Sequence, residues 1–242
     1  MHSRSSACLV ALTSLACAST PEVQDGQVIV TENEYRDIER GPGAEHCTEL
    51  DAAYAKMQAQ DFDEAEELLD GMIERYEAFV AQQGGVAVST AGPQEFEQVR
   101  GESGNPAQLV PVDFCYREVL HRKAFALAAQ ERFEDALRVL DEEARIAPAA
   151  AAPYVERGYV LNRIRRPAEA KASYERALAL SEKFPASAPH RPAALRGLGY
   201  ALIELGDLDA AEEAFAQSLE LEPGNALAIS ELEYIQKIRA GR

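Results

Sequence analysis

Chemistry in this 242-residue chain would have to come from few reactive side chains, since it holds four cysteines and four histidines. Cys115 and His121 are a thiol and an imidazole six residues apart, the types a nucleophile and its base require. On a helix, however, a six-residue step leaves them pointing about 120° away from each other. Glu45-His46-Cys47 sets three metal-ligand types in a row, yet consecutive residues at a helix start face different ways, so a helix-capping run is the better reading. No glycine-rich loop follows a strand to cradle phosphate, no histidine pair has zinc spacing, and no serine sits in a nucleophile elbow. The sequence predicts a non-enzyme with no metal and no cofactor, and leaves binding as the chemistry to look for.

The elements that would position a binding surface are clearest from Arg191 to Asn225. Leu195, Leu198, Gly199 and Leu202 fall on one helical face. Gly206-Asp207 breaks the pattern, and Asp207 can cap a second helix with Leu208, Ala211, Phe215 and Leu219 inward. Two short helices cannot bury both apolar faces alone, so the unit needs copies of itself. Aligning on Ala211 finds them at Ala65, Ala136 and Ala170, the last two 34 residues apart. Small residues recur on the first helix (Ala53, Ala124, Gly158, Gly199), and large ones on the second (Leu69, Leu140, Tyr174, Phe215). In period and in these contact residues the chain resembles the tetratricopeptide-repeat (TPR) family. Pro167 and Glu143 depart from the family pattern, Glu143 standing where alanine is usual.

The resemblance implies an all-α fold: an α-solenoid of about four TPR helix pairs (repeats about 45–80, 113–148, 151–182 and 192–225) plus a C-terminal capping helix, 226–240. It also implies a concave groove lined by the first helices, faced by the residue after each small contact residue. Those residues are Tyr54, Phe125, Tyr159 and Tyr200, with Tyr234 at the matching place in the capping helix. Arg163 and Arg196 flank the central rings. Aromatics with arginine are the usual make-up of protein-binding hot spots, so these seven residues are the candidate partner-binding set. The alternative is that the rings only pack against the next helix. Aromatics stand where the family's carboxylate clamp would place asparagine, which disfavours chaperone tails as ligands. Cys47 and Cys115 open the first helices of neighbouring repeats, offset by about one helical turn, or ~5 Å. A disulfide between them is feasible if the helix starts converge; two buried thiols are the alternative.

Outside the repeats the chain changes character. Residues 1–16 hold one arginine and a short apolar run, too short to span a bilayer but suited to a signal peptide. Thr13-Ser14-Leu15-Ala16 before Cys17 resembles the bacterial lipoprotein signal, which implies lipidation of Cys17; plain secretion is the alternative. Ala18 in place of aspartate favours, by the same resemblance, the outer membrane facing the periplasm. Residues 17–44 read as a flexible linker in which Val28-Ile29-Val30 lacks an evident strand partner. The insertion 81–111, rich in Gly, Gln, Ser and Pro, shows no helical period, and disorder is the expectation over a functional loop. A net charge of −17 argues against nucleic acid and anionic lipid as partners, leaving the membrane to be reached only through the anchor. The expectation is a protein or peptide partner held in the groove of an envelope scaffold, of the kind the pilotin-like helpers of secretins represent. A regulatory or accessory subunit of an envelope enzyme is the alternative.

Overall fold

The structure, a computed structural model, describes residues 22–24, 27–29 and 43–241, with side chains from Thr48 onward. The signal segment, Cys17 and the Cys47 side chain lie outside the described residues. Two short strands, β1 (Glu22–Gln24) and β2 (Gln27–Ile29), pair antiparallel, so the valine-rich run does have a partner just upstream. Then come the helix pairs α1 (Gly43–Gln58) and α2 (Phe62–Gln83), α4 (Phe114–Ala129) and α5 (Phe133–Ile146). They continue with α6 (Ala152–Arg163) and α7 (Pro167–Lys183), then α8 (Arg191–Leu205) and α9 (Leu208–Leu221). The last helix, α10 (Ala226–Ala240), is capped by the Asn225 side chain, which accepts from Ala228 N–H at 3.2 Å. The described chain is an all-α solenoid in which each pair stacks on the next.

The four pairs share one turn, although their sequences there differ. Gln60, Glu131, Arg165 and Gly206 each lie five residues before the small residue of the second helix, and all four are left-handed, at φ 61°, 60°, 60° and 82°. In each turn the next residue's N–H reaches back across the turn: Asp61 to Lys56 O, Arg132 to Leu127 O, Arg166 to Leu161 O and Asp207 to Leu202 O, at 2.9–3.0 Å. This is the Schellman closure, which satisfies carbonyls at a helix end. Only the fourth turn uses glycine; the other three place a Cβ where it crowds the following carbonyl.

Small residues let the helices meet. A Cβ on Gly158 would lie 2.6 Å from the Tyr174 ring, and one on Gly197 would lie 2.1 Å from it. Tyr174 is therefore wedged between a helix of its own repeat and a helix of the next. Phe215 makes the within-pair half of this fit one unit on, 2.6 Å from where a Gly199 Cβ would stand. Sequence alignment finds Gly158 and Gly199; Gly197, which serves the junction between repeats, does not fall on the repeat signature.

Residues 81–111, expected to be disordered, instead form a compact unit. Strand β3 (Val86–Ser89), helix α3 (Pro93–Glu102), a 3-10 turn (Pro106–Gln108) and strand β4 (Leu109–Val112) follow one another, and the strands pair in parallel. A parallel pair needs a crossover connection, which α3 supplies. Phe96 is buried beneath it, and Glu95 Oε1 accepts from Ala91 N–H at 2.9 Å. Strand β3 packs on α4 and α5, Ser89 Oγ donates to Asp113 O at 3.3 Å, and Glu102 pairs with Lys183 of α7 at 2.5 Å. Order here comes from contacts distant in sequence, which composition does not register. The Pro-rich segment before α8 is likewise a 3-10 helix, Pro185–His190.

The first two repeats meet at a polar joint. Asp113 Oδ1 accepts from Tyr76 Oη at 2.7 Å and from Cys115 N–H at 3.0 Å, and Tyr76 stacks on Tyr116 with centroids 4.5 Å apart. Cys115 is disulfide-bonded.

Three measurements test this architecture. Glu131→Gly should raise stability by about 0.5–1 kcal/mol, because glycine removes the left-handed Cβ penalty at some entropic cost; urea unfolding reads the gain. Gly197→Ala should lose about 1–3 kcal/mol by overpacking against Tyr174, and more than Gly101→Ala, whose Cβ meets nothing within 4 Å. With Cys47 as the sequence-assigned partner, Cys47→Ser should leave Cys115 as a free thiol, detected by intact mass after alkylation without reductant.

Candidate functional site

The first helices of repeats two to four and the capping helix enclose a groove of about 1120 Å³. Phe125, Tyr159, Tyr200 and Tyr234 line it, one from each of α4, α6, α8 and α10. Phe125 is 59% exposed, and Tyr159 and Tyr234 are each 49% exposed, so these rings are offered to solvent instead of filling the core. Tyr200 is intermediate, set edge-on against Phe215 at 5.4 Å. Val155 and Ile203 add aliphatic surface between the rings. The sequence ladder of five aromatics is thus four in this groove. Tyr54 is not among its lining residues; its ring is half-exposed on α1, and the Arg122 guanidinium of α4 lies over it at 4.9 Å.

The two arginines of the sequence set behave differently. Arg196 lines the groove, but it forms an ion pair with Glu222 and donates to Ser218 Oγ at 3.2 Å, so its charge is already spent. Arg163 donates to the Tyr159 hydroxyl at 3.1 Å, and its guanidinium lies 5.5 Å from the Phe133 centroid and 6.0 Å from that of Tyr159. Arg165, which spacing did not single out, lines the groove paired to Glu204 at 2.7 Å. Glu231 of the capping helix also lines it; burial holds its carboxyl above the usual range, with the Tyr200 hydroxyl acting the other way.

At the α4 end lies a buried pair. Glu143, in the place where alanine was expected, is only 1% exposed, with its carboxylate 3.1 and 3.2 Å from His121 Nδ1. Burial pushes the Glu143 carboxyl up, while the His121 hydrogen bond and charge pull the other way without cancelling it. For His121, burial pulls the pKa down, but the bond to Glu143 and the charges of Glu143, Glu156 and Glu118 more than offset it, and the ring sits above its ordinary value. Its tautomer and charge are thereby tied to a carboxylate that the core disfavours.

This constellation defines the class: a helical solenoid whose concave wall displays aromatic and charged side chains along a groove. Residues 149–222 match the tetratricopeptide-repeat family model. Over that segment the chain is similar to the TPR family, and the helix pairs beside it continue the same architecture. No curated protein matches the chain. Among solved structures, the fold is similar to PilW, a type IV pilus biogenesis factor, at TM-score 0.56 and 18% identity over 80% of this chain and 69% of that one. It is also similar to MamA, at TM-score 0.51 and 17% identity over 81% of this chain and 82% of that one. The first TPR domain of Spaghetti (RPAP3), bound to an HSP90 peptide, aligns at TM-score 0.46 and 24% identity over 51% of this chain and 93% of that one.

The His121–Glu143 pair sets a pH dependence. Because the folded value of His121 stands above the ordinary 6.5, its contribution is complete below that pH and is lost as pH rises through the folded value. The raised Glu143 acts with the same sign, since rising pH charges a carboxyl the core disfavours. The melting temperature should therefore fall from about pH 6 to about pH 9 more steeply in the native protein than in Glu143→Ala. His121→Ala should cost about 3 kcal/mol near neutrality by leaving a buried carboxylate unpaired. Equal pH slopes in the native protein and Glu143→Ala would contradict this account.

Proposed function

We propose that the protein is a non-catalytic interaction scaffold of the bacterial cell envelope, binding a peptide segment or a partner subunit in its concave groove and aiding assembly of an envelope complex. The observation that carries the binding role is the groove itself: four aromatic side chains from four consecutive units line about 1120 Å³. Exposed rings on a rigid helical wall bury much area for little lost conformational freedom, which is how hot-spot residues act. The envelope assignment rests on the sequence before Cys17. The proposed attachment is the lipidated Cys17; among the described residues no helix is long and apolar enough to cross a membrane. Aromatic rings stand at the asparagine places of the family's carboxylate clamp and no lysine lines the groove, which disfavours a chaperone tail as the ligand.

Two experiments test the two halves. Cys17→Ala should move the protein from the membrane fraction to the soluble periplasm; a native protein already soluble there would remove the anchor. Affinity capture from detergent-solubilised membranes should recover a partner with the native groove and lose it with Tyr159→Ala, at a cost of about 2 kcal/mol or more. The half-exposed Tyr159 should change the melting temperature little, and a large drop in melting temperature with undiminished capture would make the ring structural instead.

A further inference from the structure

One buried pair reaches the surface of the groove. His121 lines the groove one helical turn before Phe125 on α4, and Val155, Glu156 and Tyr159 of α6 line it as well. Its Nδ1 lies 3.2 and 3.1 Å from the two carboxylate oxygens of Glu143, whose side chain is 1% exposed, whereas that of His121 is 25% exposed. The other ring nitrogen, Nε2, has no hydrogen-bond partner among the described residues and is not sealed from solvent. The imidazole is thus clamped on its inner nitrogen and open on its outer one. What Nε2 offers follows from the protons the pair holds. With two protons shared between carboxyl and ring, Nε2 carries one of them, whether the inner proton sits on Nδ1 or on Glu143. With a single proton left, that proton lies on Nδ1, facing the carboxylate, and Nε2 is a bare lone pair.

Accepting that the groove takes a peptide segment, we propose that His121 binds it directly: Nε2–H donates to a carbonyl oxygen of the segment, and loss of the pair's second proton removes the donor. A neutral carbonyl suits the place better than a carboxylate, because Glu118 of α4 and Glu156 of α6 face the same ring and would repel an arriving anion. The remaining charges nearby leave His121 as the titrating donor. Arg117 of α4 acts on Glu143 and on His190 of the Pro185–His190 turn. Burial, then the charges of His121 and Arg117, hold His190 below the ordinary 6.5, whereas His121 stands above it, so the two imidazoles titrate in separate ranges. From α2, Asp70 is taken by Lys123, and from α1 the Tyr54 ring lies under Arg122. Because the ligand selects the doubly protonated pair, affinity is full below the folded value of His121 and falls as pH rises through it. Above that value, binding draws a proton from solvent.

The probe is a random dodecapeptide library displayed on phage and selected on the folded full-length protein at about pH 6, below the ordinary imidazole value. Peptides lost on both Phe125→Ala and Tyr159→Ala lie beside His121, and those free of histidine and cysteine are synthesised with blocked termini. Their affinity for the native protein should fall about tenfold between about pH 6 and about pH 9, the worth of one hydrogen bond, with circular dichroism showing the protein folded at both. Glu143→Gln should flatten this profile, because its amide can donate to Nδ1 and keep a proton on Nε2 without a second titrating proton. Calorimetry of the native protein at about pH 8, in phosphate and in Tris, should show proton uptake on binding, and Glu143→Gln should show none. Phe125- and Tyr159-dependent peptides that bind equally at both pH values, or whose fall persists unchanged in Glu143→Gln, would overturn this inference while leaving the groove as a peptide site. Failure to enrich any peptide dependent on both rings would overturn the groove reading along with it.

Discussion

The solenoid depends on a fit between small and large side chains at the helix contacts. Tyr174 and Phe215 stand where glycine on the facing helix leaves no Cβ, and the approach is close enough that even a methyl group would collide. Such fits are short-range and unforgiving, because a packed interior has no slack to absorb an added carbon. Tyr174 shows why they build an array: one ring closes its own helix pair against Gly158 and joins it to the next pair at Gly197. The pair is thereby fixed in distance and the neighbouring pair in position. The regular spacing of the concave wall follows from this, and with it the even succession of Phe125, Tyr159, Tyr200 and Tyr234.

The repeat architecture was legible because the contact residues recur at a near-constant interval and are restricted in size. The groove-facing aromatics were legible for the same reason, being tied to those contacts by one residue. What spacing could not show is which side chains satisfy one another across helices. Arg122 reaches from α4 over the Tyr54 ring of α1, and Glu222 of α9 takes Arg196 of α8; both pairings join residues far apart in the chain. Glu143 looked like a departure from the repeat pattern, and its partner His121 lies on the preceding helix, 22 residues away. The segment 81–111 was misread for a related reason. Its strands are four residues each and gain their stability from pairing with one another and from α4 and α5, not from any local period.

The two faces of the wall differ in how their charges are used. On the outer helices, ion pairs such as Arg166 with Glu169 and Lys171 with Glu175 join residues one turn apart and lie largely in solvent. Pairs of that kind add little to stability and serve solubility. Inside the groove the pairings run between helices, within a unit for Arg196 with Glu222 and between units for Arg165 of α6 with Glu204 of α8. A residue's availability on this surface is thus a property of its neighbours in space and cannot be assigned one repeat at a time.

The strand-helix-strand unit at residues 86–112 has a further bearing on how the molecule comes apart. A helical repeat array behaves as a one-dimensional chain of units, each feeling only its neighbours, and it frays from its ends. Here β3 leans on α4 and α5 while Glu102 reaches to Lys183 of α7, so the segment leaving repeat one touches both repeat two and repeat three. That is a contact beyond nearest neighbours. It acts as a brace along the first three units, while the Tyr174 ring seated at Gly197 ties the fourth pair to the third.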